Sequence, residues 1–289
     1  MTSKIKDINV CRLFYFMKAR HEIYLHKLVG SPKPWTDNTI LQEYKFCNVY
    51  RELDSTTAWI RQNIRGRWEY HRYLWFALAV ARRINLPVTL HQLDYLLVDW
   101  DAKAVLGILE QRKLLELPIY SGAYSLSTSS LKMSKNHYTV YECLNKLWER
   151  RETISMALDK EQWTLEQVFI LFAHHNPGIS GFLSYEIITD MRHTRYLRNA
   201  PDIMTWAHAG PGAIRGLNRL YERPVDTKIK PCRSNKDMQY LLSVLEGMFL
   251  AAFPKLEMRD IEHSLCEFDK YLRIQNDKSF LCRKYNGKG

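Results

Sequence analysis

Residues 175–187 read His-Asn-Pro-Gly-Ile-Ser-Gly-Phe-Leu-Ser-Tyr-Glu-Ile, and this stretch decides the fold class. It places one proline and two glycines between the apolar run Leu165–Ala173 and a second apolar run that begins at Phe182. Proline turns the preceding residue away from helix, and glycine admits the tight backbone that a following helix needs. The reading is helix, turn, helix, and the same grammar continues in both directions. Toward the C-terminus, Gly210-Pro-Gly-Ala-Ile-Arg-Gly216 is a second glycine-marked turn running into a helix. Met238, Leu241, Leu242, Leu245, Met248, Phe249 and Ala252 then recur at helical spacing, as do Ile261, Leu265, Phe268 and Leu272 in the final helix, 258–275. Toward the N-terminus, a helix over about 7–29 is stopped by Gly30-Ser-Pro-Lys-Pro34. Thr36 and Asp37 predict the cap of a second helix, with Phe46, Val49, Leu53, Thr57 and Ile60 as its buried stripe. Segments 68–83, 100–111 and 139–158 predict further helices, the first of them apolar nearly all round. With only 12 Gly and 10 Pro in 289 residues, the fold class is all-α. We expect one helical catalytic domain over 1–289, divisible into lobes at about 30–160 and at 161–275 with the N-terminal helix, followed by a basic tail, 276–289.

The composition narrows the partner. Hydrophobic residues make up 46% of the chain, enough for a substantial core, and the formal net charge is +11. A surplus of that size on a folded domain attracts polyanions, and an aromatic content of 12% adds flat side chains on which bases can stack. The six cysteines, Cys11, Cys47, Cys143, Cys232, Cys266 and Cys282, show no zinc or iron–sulfur spacing, so no metal site is expected. They read as reduced thiols of a cytoplasmic protein. The first thirty residues mix charges through their apolar positions and read neither as a signal peptide nor as a membrane span; no membrane partner is expected. Between Pro118 and Tyr138 the chain turns Ser/Thr-rich, and Tyr124, Lys132 and Lys135 there read as a DNA clamp or a loop tip.

The turn at Pro177–Gly181 resembles a helix-hairpin-helix, in which glycines let the backbone approach DNA and helix-start amides hold a phosphate. Gly178, Ser180 and Gly181, with Gly210, Gly212 and Arg215 of the second turn, are the DNA-contact candidates. DNA glycosylases built on this motif carry an essential aspartate beyond the hairpin, and Asp202, in Ala200-Pro-Asp-Ile-Met204, occupies the corresponding place. An aspartate after proline is also a common helix cap, and one residue can do both.

Five ordered blocks carry a more specific resemblance: Lys33-Pro-Trp-Thr-Asp37, Tyr44-Lys-Phe-Cys-Asn-Val-Tyr-Arg-Glu-Leu-Asp54, Gly181-Phe-Leu-Ser-Tyr-Glu-Ile-Ile-Thr-Asp-Met-Arg-His193, Gly210–Leu217 and Asp260-Ile-Glu-His-Ser-Leu-Cys-Glu-Phe-Asp-Lys-Tyr271. From Phe14 to Arg273 the chain resembles the alpha-glutamyl/putrescinyl thymine pyrophosphorylases, the phage amino acid:DNA transferases. The resemblance implies a glycosylase-like helical architecture and double-stranded DNA carrying a modified thymine as substrate. It implies action in the cytoplasm of a bacterial host. The reaction it implies replaces the pyrophosphate of 5-pyrophosphoryloxymethyl-deoxyuridine with the amine of an amino acid or polyamine. The target base has to leave the duplex to be reached. Departing pyrophosphate needs positive charge, from Arg51, Arg192, Arg215, Lys270 or a Mg²⁺ ion carried by the pyrophosphate. The incoming ammonium needs a carboxylate to hold it and accept its proton; Asp202, Glu267 and Asp190 are the candidates. His263, Glu267 and Lys270 fall on one face of the last helix, with Asp269 beside it, and Asn48 joins Arg51 as a substrate-binding candidate. Arg51, Glu52 and Asp54 also have the pattern of an internal ion-pair network.

A related helical domain accompanies some of the kinases that make the activated base. No G-x-x-x-x-G-K-[ST] phosphate loop occurs in this chain, which disfavours the kinase role. Two alternatives stay open. A monofunctional glycosylase using Asp202 fits, because no lysine lies between Asn176 and Asp190 to form a Schiff base. A non-catalytic DNA-binding helical module needs only the charge and the hairpin.

Overall fold

A computed structural model describes residues 5–122, 133–159, 162–175, 181–249, 253–277, 282 and 284. Among these, every regular element is helical, and the β structure amounts to one isolated bridge between Tyr44 and Lys284. The all-α reading therefore holds. The chain forms two compact units. One joins Met1–Asp54 to Ile203–Gly289, and the other is the continuous stretch Ser55–Asp202.

The continuous unit is organised around helix Leu74–Ile84, all eleven residues of which are buried. A helix apolar on every side satisfies its backbone internally and can be surrounded. The Gly181–Met191 helix packs on it, burying Leu183 through Met191, and Phe172 of helix Leu165–His175 meets Trp75 at 5.7 Å between ring centroids. Two polar links run through this core. Trp75 Nε1 donates to Ser155 Oγ at 3.0 Å, and Arg82 clasps Asp190 with Nε and Nη2 at 2.5 and 2.8 Å. Expected boundaries shift where local chemistry intervenes. The helix predicted from Trp68 begins only at Leu74, after a series of turns, and the 139–158 helix is divided into Tyr138–Asn145, Lys146–Glu149 and Arg151–Leu158.

The discontinuous unit contains helices Asp7–Leu28, Pro211–Leu220, Pro231–Met248 and Met258–Asn276. Its core is drawn from both ends of the chain: Leu13, Phe16 and Met17 join Leu217, Leu241, Ile261, Leu265 and Phe268, all buried. Pro211–Leu220 lies directly on Met258–Asn276. A methyl group at Gly212 would overlap Cys266 Sγ, and one at Gly216 would overlap the Leu265 carbonyl. The glycines of the second turn thus let two helix backbones approach one another. The last helix starts with a reciprocal cap between Glu257 and Asp260.

The second helix expected from the cap at Thr36 and Asp37 is cut short. Asn38 is the true cap, accepting from Leu41 N at 3.1 Å, and the helix ends after Thr39–Glu43. From Tyr44 to Tyr50 the chain runs outside helix. Its amides find side-chain partners: Cys47 N donates to Glu267 Oε2 at 3.0 Å, and Asn48 N donates to Asp54 Oδ1 at 2.9 Å. Asparagine and aspartate compete with the helical ladder in just this way. The expected stripe is still largely buried, at Phe46, Val49, Thr57 and Ile60. No helix among the described residues is long and apolar enough to cross a membrane.

Candidate functional site

The segment 44–54 and the last helix build one polar cluster within the discontinuous unit. Asp54 is its anchor. Its Oδ1 accepts from the backbone and side-chain nitrogens of Asn48, at 2.9 and 3.0 Å, and its Oδ2 accepts from Arg51 Nη1 at 2.5 Å. Asn48 also donates to Leu53 O, closing the loop on itself. Asn48 and Arg51 are buried, whereas Cys47, Asp54, His263, Glu267 and Lys270 are half-exposed. Side chains that can react are thus largely buried but reachable, over a fixed polar floor.

The Met258–Asn276 helix supplies the other wall. Glu267 Oε2 accepts from Cys47 N and from Lys270 Nζ, the latter at 3.1 Å, and Lys270 Nζ reaches Lys45 O at 2.5 Å. One helical turn earlier, His263 offers a ring nitrogen within 4.8 Å of both Cys47 Sγ and an Asp54 oxygen. From the first helix, Arg20 donates through Nε and Nη2 to Phe46 O at 3.2 and 3.0 Å. Burial weakens the Arg20 guanidinium's hold on its proton, and Asp54, Cys47 and Glu267 offset this only in part. The Cys47 thiol is pushed well up, first by burial and then by the Glu267 and Asp54 carboxylates, so it rests as a neutral thiol. Burial works to lower the Lys270 pKa, but Glu267 and Cys47 outweigh it and the net shift is upward.

Cys47, Asp54 and His263 have the spacing of a three-ligand metal group. The fit is poor. Asp54 already spends both oxygens on Asn48 and Arg51, and Arg20, Arg51 and Lys270 would repel a further cation. The cluster suits an anion instead.

Asn48, Arg51, His263, Glu267 and Lys270, all nominated from sequence, come together here. The other candidates do not join them. Asp269 is buried beside the cluster's helix face and takes Arg215 Nε on one oxygen and Arg219 Nε on the other, at 2.8 and 2.9 Å. Those contacts tie the Pro211–Leu220 helix to the last one, so Arg215 is engaged within the fold. Gly210 begins that helix, its amide donating to Glu262 Oε1 at 3.2 Å. Asp190 is locked on Arg82 in the core of the continuous unit. Asp202 caps helix Leu165–His175 from outside, accepting from Leu165 N and Glu166 N at 2.8 and 3.1 Å. Its capping role is therefore real, toward a helix other than the expected one. Arg192 follows Gly181–Met191 and contacts the Arg198 carbonyl at 3.4 Å. Gly181 opens that helix, while Gly178 and Ser180, with Tyr124 and Lys132, lie outside the described residues.

Sequence reasoning missed Arg20 and Cys47 and gave Asp54 only an ion-pair role. Arg20 sits in a helix with no motif around it. The Asn48-to-Asp54 spacing was the available signal for a self-closed loop.

A family profile described as the helical domain of 5-hmdU DNA kinase matches residues 8–279, nearly the whole chain. The 5-hmdU DNA kinase of Bacillus phage SP10 is 22% identical over 294 residues, covering 89% of this chain and 44% of that protein. The chain thus spans less than half the length of this relative. No solved structure matches. The chain belongs to the 5-hmdU DNA kinase helical-domain family, a family of phage thymine modification.

Proposed function

We propose that this protein is an amine:DNA transferase acting on 5-pyrophosphoryloxymethyl-deoxyuridine in duplex DNA. One observation carries the reading: Asn48, Arg51, His263, Glu267 and Lys270 converge on one half-exposed cluster with Arg20 and Asp54. In the reaction the bond from methylene carbon to pyrophosphate oxygen breaks, and a bond from that carbon to the amine nitrogen forms. Arg20, Arg51 and Lys270 stabilise the negative charge that collects on the departing pyrophosphate. Glu267 holds the incoming ammonium, and Glu267 or His263 takes its proton, freeing the nitrogen lone pair that attacks the methylene carbon. Mg²⁺, where it takes part, enters on the pyrophosphate. The glycosylase-like character of the helical fold and the flipping of the base into the cluster belong to the same proposal. The net charge of +11 supports a DNA substrate.

A second reading is favoured by the kinase relative: a helical module that presents 5-hmdU in DNA to a kinase. One experiment separates the two. The purified protein is incubated with duplex DNA bearing the pyrophosphorylated base and a pool of amino acids and polyamines, and the DNA is digested to nucleosides for mass spectrometry. A nucleoside of thymidine-plus-amine mass with released pyrophosphate supports the transferase. Unchanged DNA, with tighter binding to 5-hmdU duplex than to thymine duplex, replaces it with the presenting module. Abasic sites would replace it with a glycosylase.

A further inference from the structure

A second concentration of positive charge lies in the continuous unit, Ser55–Asp202, and among the described residues no acidic side chain pairs with it. Arg83 is only 4% exposed, on the core helix Leu74–Ile84. Its Nε donates to Thr139 Oγ1 at 3.3 Å, but its Nη2 is buried and finds no hydrogen-bond acceptor among the described residues. The guanidinium faces the Tyr138 ring at 5.4 Å. Lys135, half-exposed, holds its ammonium 4.1 Å from the centre of the Tyr120 ring. The two cations feel each other: burial, and then Arg83, makes the Lys135 ammonium easier to deprotonate.

The carboxylates around them are occupied. Glu110 accepts from Asn136 Nδ2 at 2.9 Å and pairs with Lys113 Nζ at 3.8 Å, and Glu142 is paired with Lys146 at 2.5 Å. Aromatic faces attract a cation but do not neutralise it. A buried arginine without an anion is costly, and a second cation beside it adds to that cost. Such an arrangement persists where an anion completes it.

We propose that Arg83 and Lys135, walled by Tyr120 and Tyr138, form a binding site for a phosphate group. Its chemistry suits either a DNA phosphodiester or free pyrophosphate. The site does not rest on the transferase reading, since a kinase-presenting module or a plain DNA-binding protein would use it equally.

The test uses the full chain and two variants, Lys135→Met and Arg83→Met. Titration calorimetry with inorganic pyrophosphate probes the free ligand. Anisotropy with an unmodified duplex, measured across a salt series, probes the phosphodiester. If the ligand is free pyrophosphate, wild type binds it and Lys135→Met weakens it at least tenfold. If the ligand is DNA, Lys135→Met lowers affinity across all sequences and reduces the slope of log affinity against log salt by about one. Arg83→Met adds a readout that a merely structural arginine would not give. Without ligand this variant is as stable as wild type or more so, and it loses the thermal stabilisation that pyrophosphate or DNA confers. Wild-type behaviour toward both ligands in Lys135→Met overturns the proposal, even if Arg83→Met does not fold. Loss of stability in Arg83→Met, with unaltered ligand stabilisation in Lys135→Met, overturns it too.

Discussion

Two of the molecule's arginine–aspartate centres, Arg82–Asp190 and Arg51–Asp54, share their residue types and differ in access. Arg82 and Asp190 are 1% and 0% exposed, with Thr57 Oγ1 accepting from the same guanidinium at 3.1 Å. Arg51 and Asp54 pair at 2.5 Å as well, but beside half-exposed Cys47, His263, Glu267 and Lys270. Nothing in the residue types distinguishes the two pairs. The difference is access: a sealed pair holds helices in place, and an open one with surplus cations can meet a ligand. On the proposed function, burial, more than identity, separates a structural charge from a chemical one.

The sharpest way to break this contrast is Asp190→Ala. It removes the nearer of Arg82's two carboxylate partners, leaving Glu186 at 3.8 Å, and should cost about 3–5 kcal/mol in urea unfolding. A loss below about 1 kcal/mol, the worth of an exposed pair, would erase the distinction.

A second buried carboxylate refines it. Asp260 caps the last helix, and burial, only partly offset by Arg259, raises its pKa to about 7. Because the folded value lies above the unfolded one, the folded state prefers the proton. This group's contribution is most favourable below its unfolded pKa near 4 and declines as pH rises toward 7. Asp260→Asn should therefore gain stability relative to wild type between pH 4 and pH 8. The gain is at most a few kcal/mol, at about 1.4 kcal/mol per pH unit between the two titrations. A difference that stays flat across a thermal-melt series would reject the assignment.

At the open centre the prediction reverses. Glu267→Gln keeps an acceptor for Cys47 N, so stability should change little. Transfer to the activated base should fall about 10²-fold, as for loss of a general base. Equal losses of stability and activity would make Glu267 another structural carboxylate.

The smallest effects belong to the close helix pair. Gly216→Ala meets the Leu265 backbone and should cost about 1–3 kcal/mol in chemical denaturation. Gly212→Ala meets the Cys266 side chain, which can turn away, and should cost less. The reverse order would show that the helix backbones yield more readily than a thiol rotates.

Much of this was legible in the chain itself. Helix periodicity located the last helix to within a residue and identified the Leu74–Ile84 core, because long apolar patterns tolerate only one packing solution. The polar face of His263, Glu267 and Lys270 followed from spacings of four and three. What stayed hidden depended on distant partners. The segment around Asn48 carries a helical stripe, yet Asp54 and Glu267 draw its amides out of the helix, and spacing alone cannot reveal an acceptor 220 positions away. Arg20 was invisible for the same reason. Asp202 and Asp190 were nominated by type and position, while their partners, a helix start and a buried arginine, appear only in three dimensions.

The link between Cys47 and Glu267 also has a consequence in time. The whole continuous unit is synthesised between the two walls of the cluster. At roughly 5–20 residues per second, a ribosome needs on the order of 10–40 s to pass from one wall to the other. A nascent chain can fold Ser55–Asp202 while its chemistry is still unmade. Translation that stops before Met258 therefore leaves a polypeptide that carries folded helices and no complete cluster.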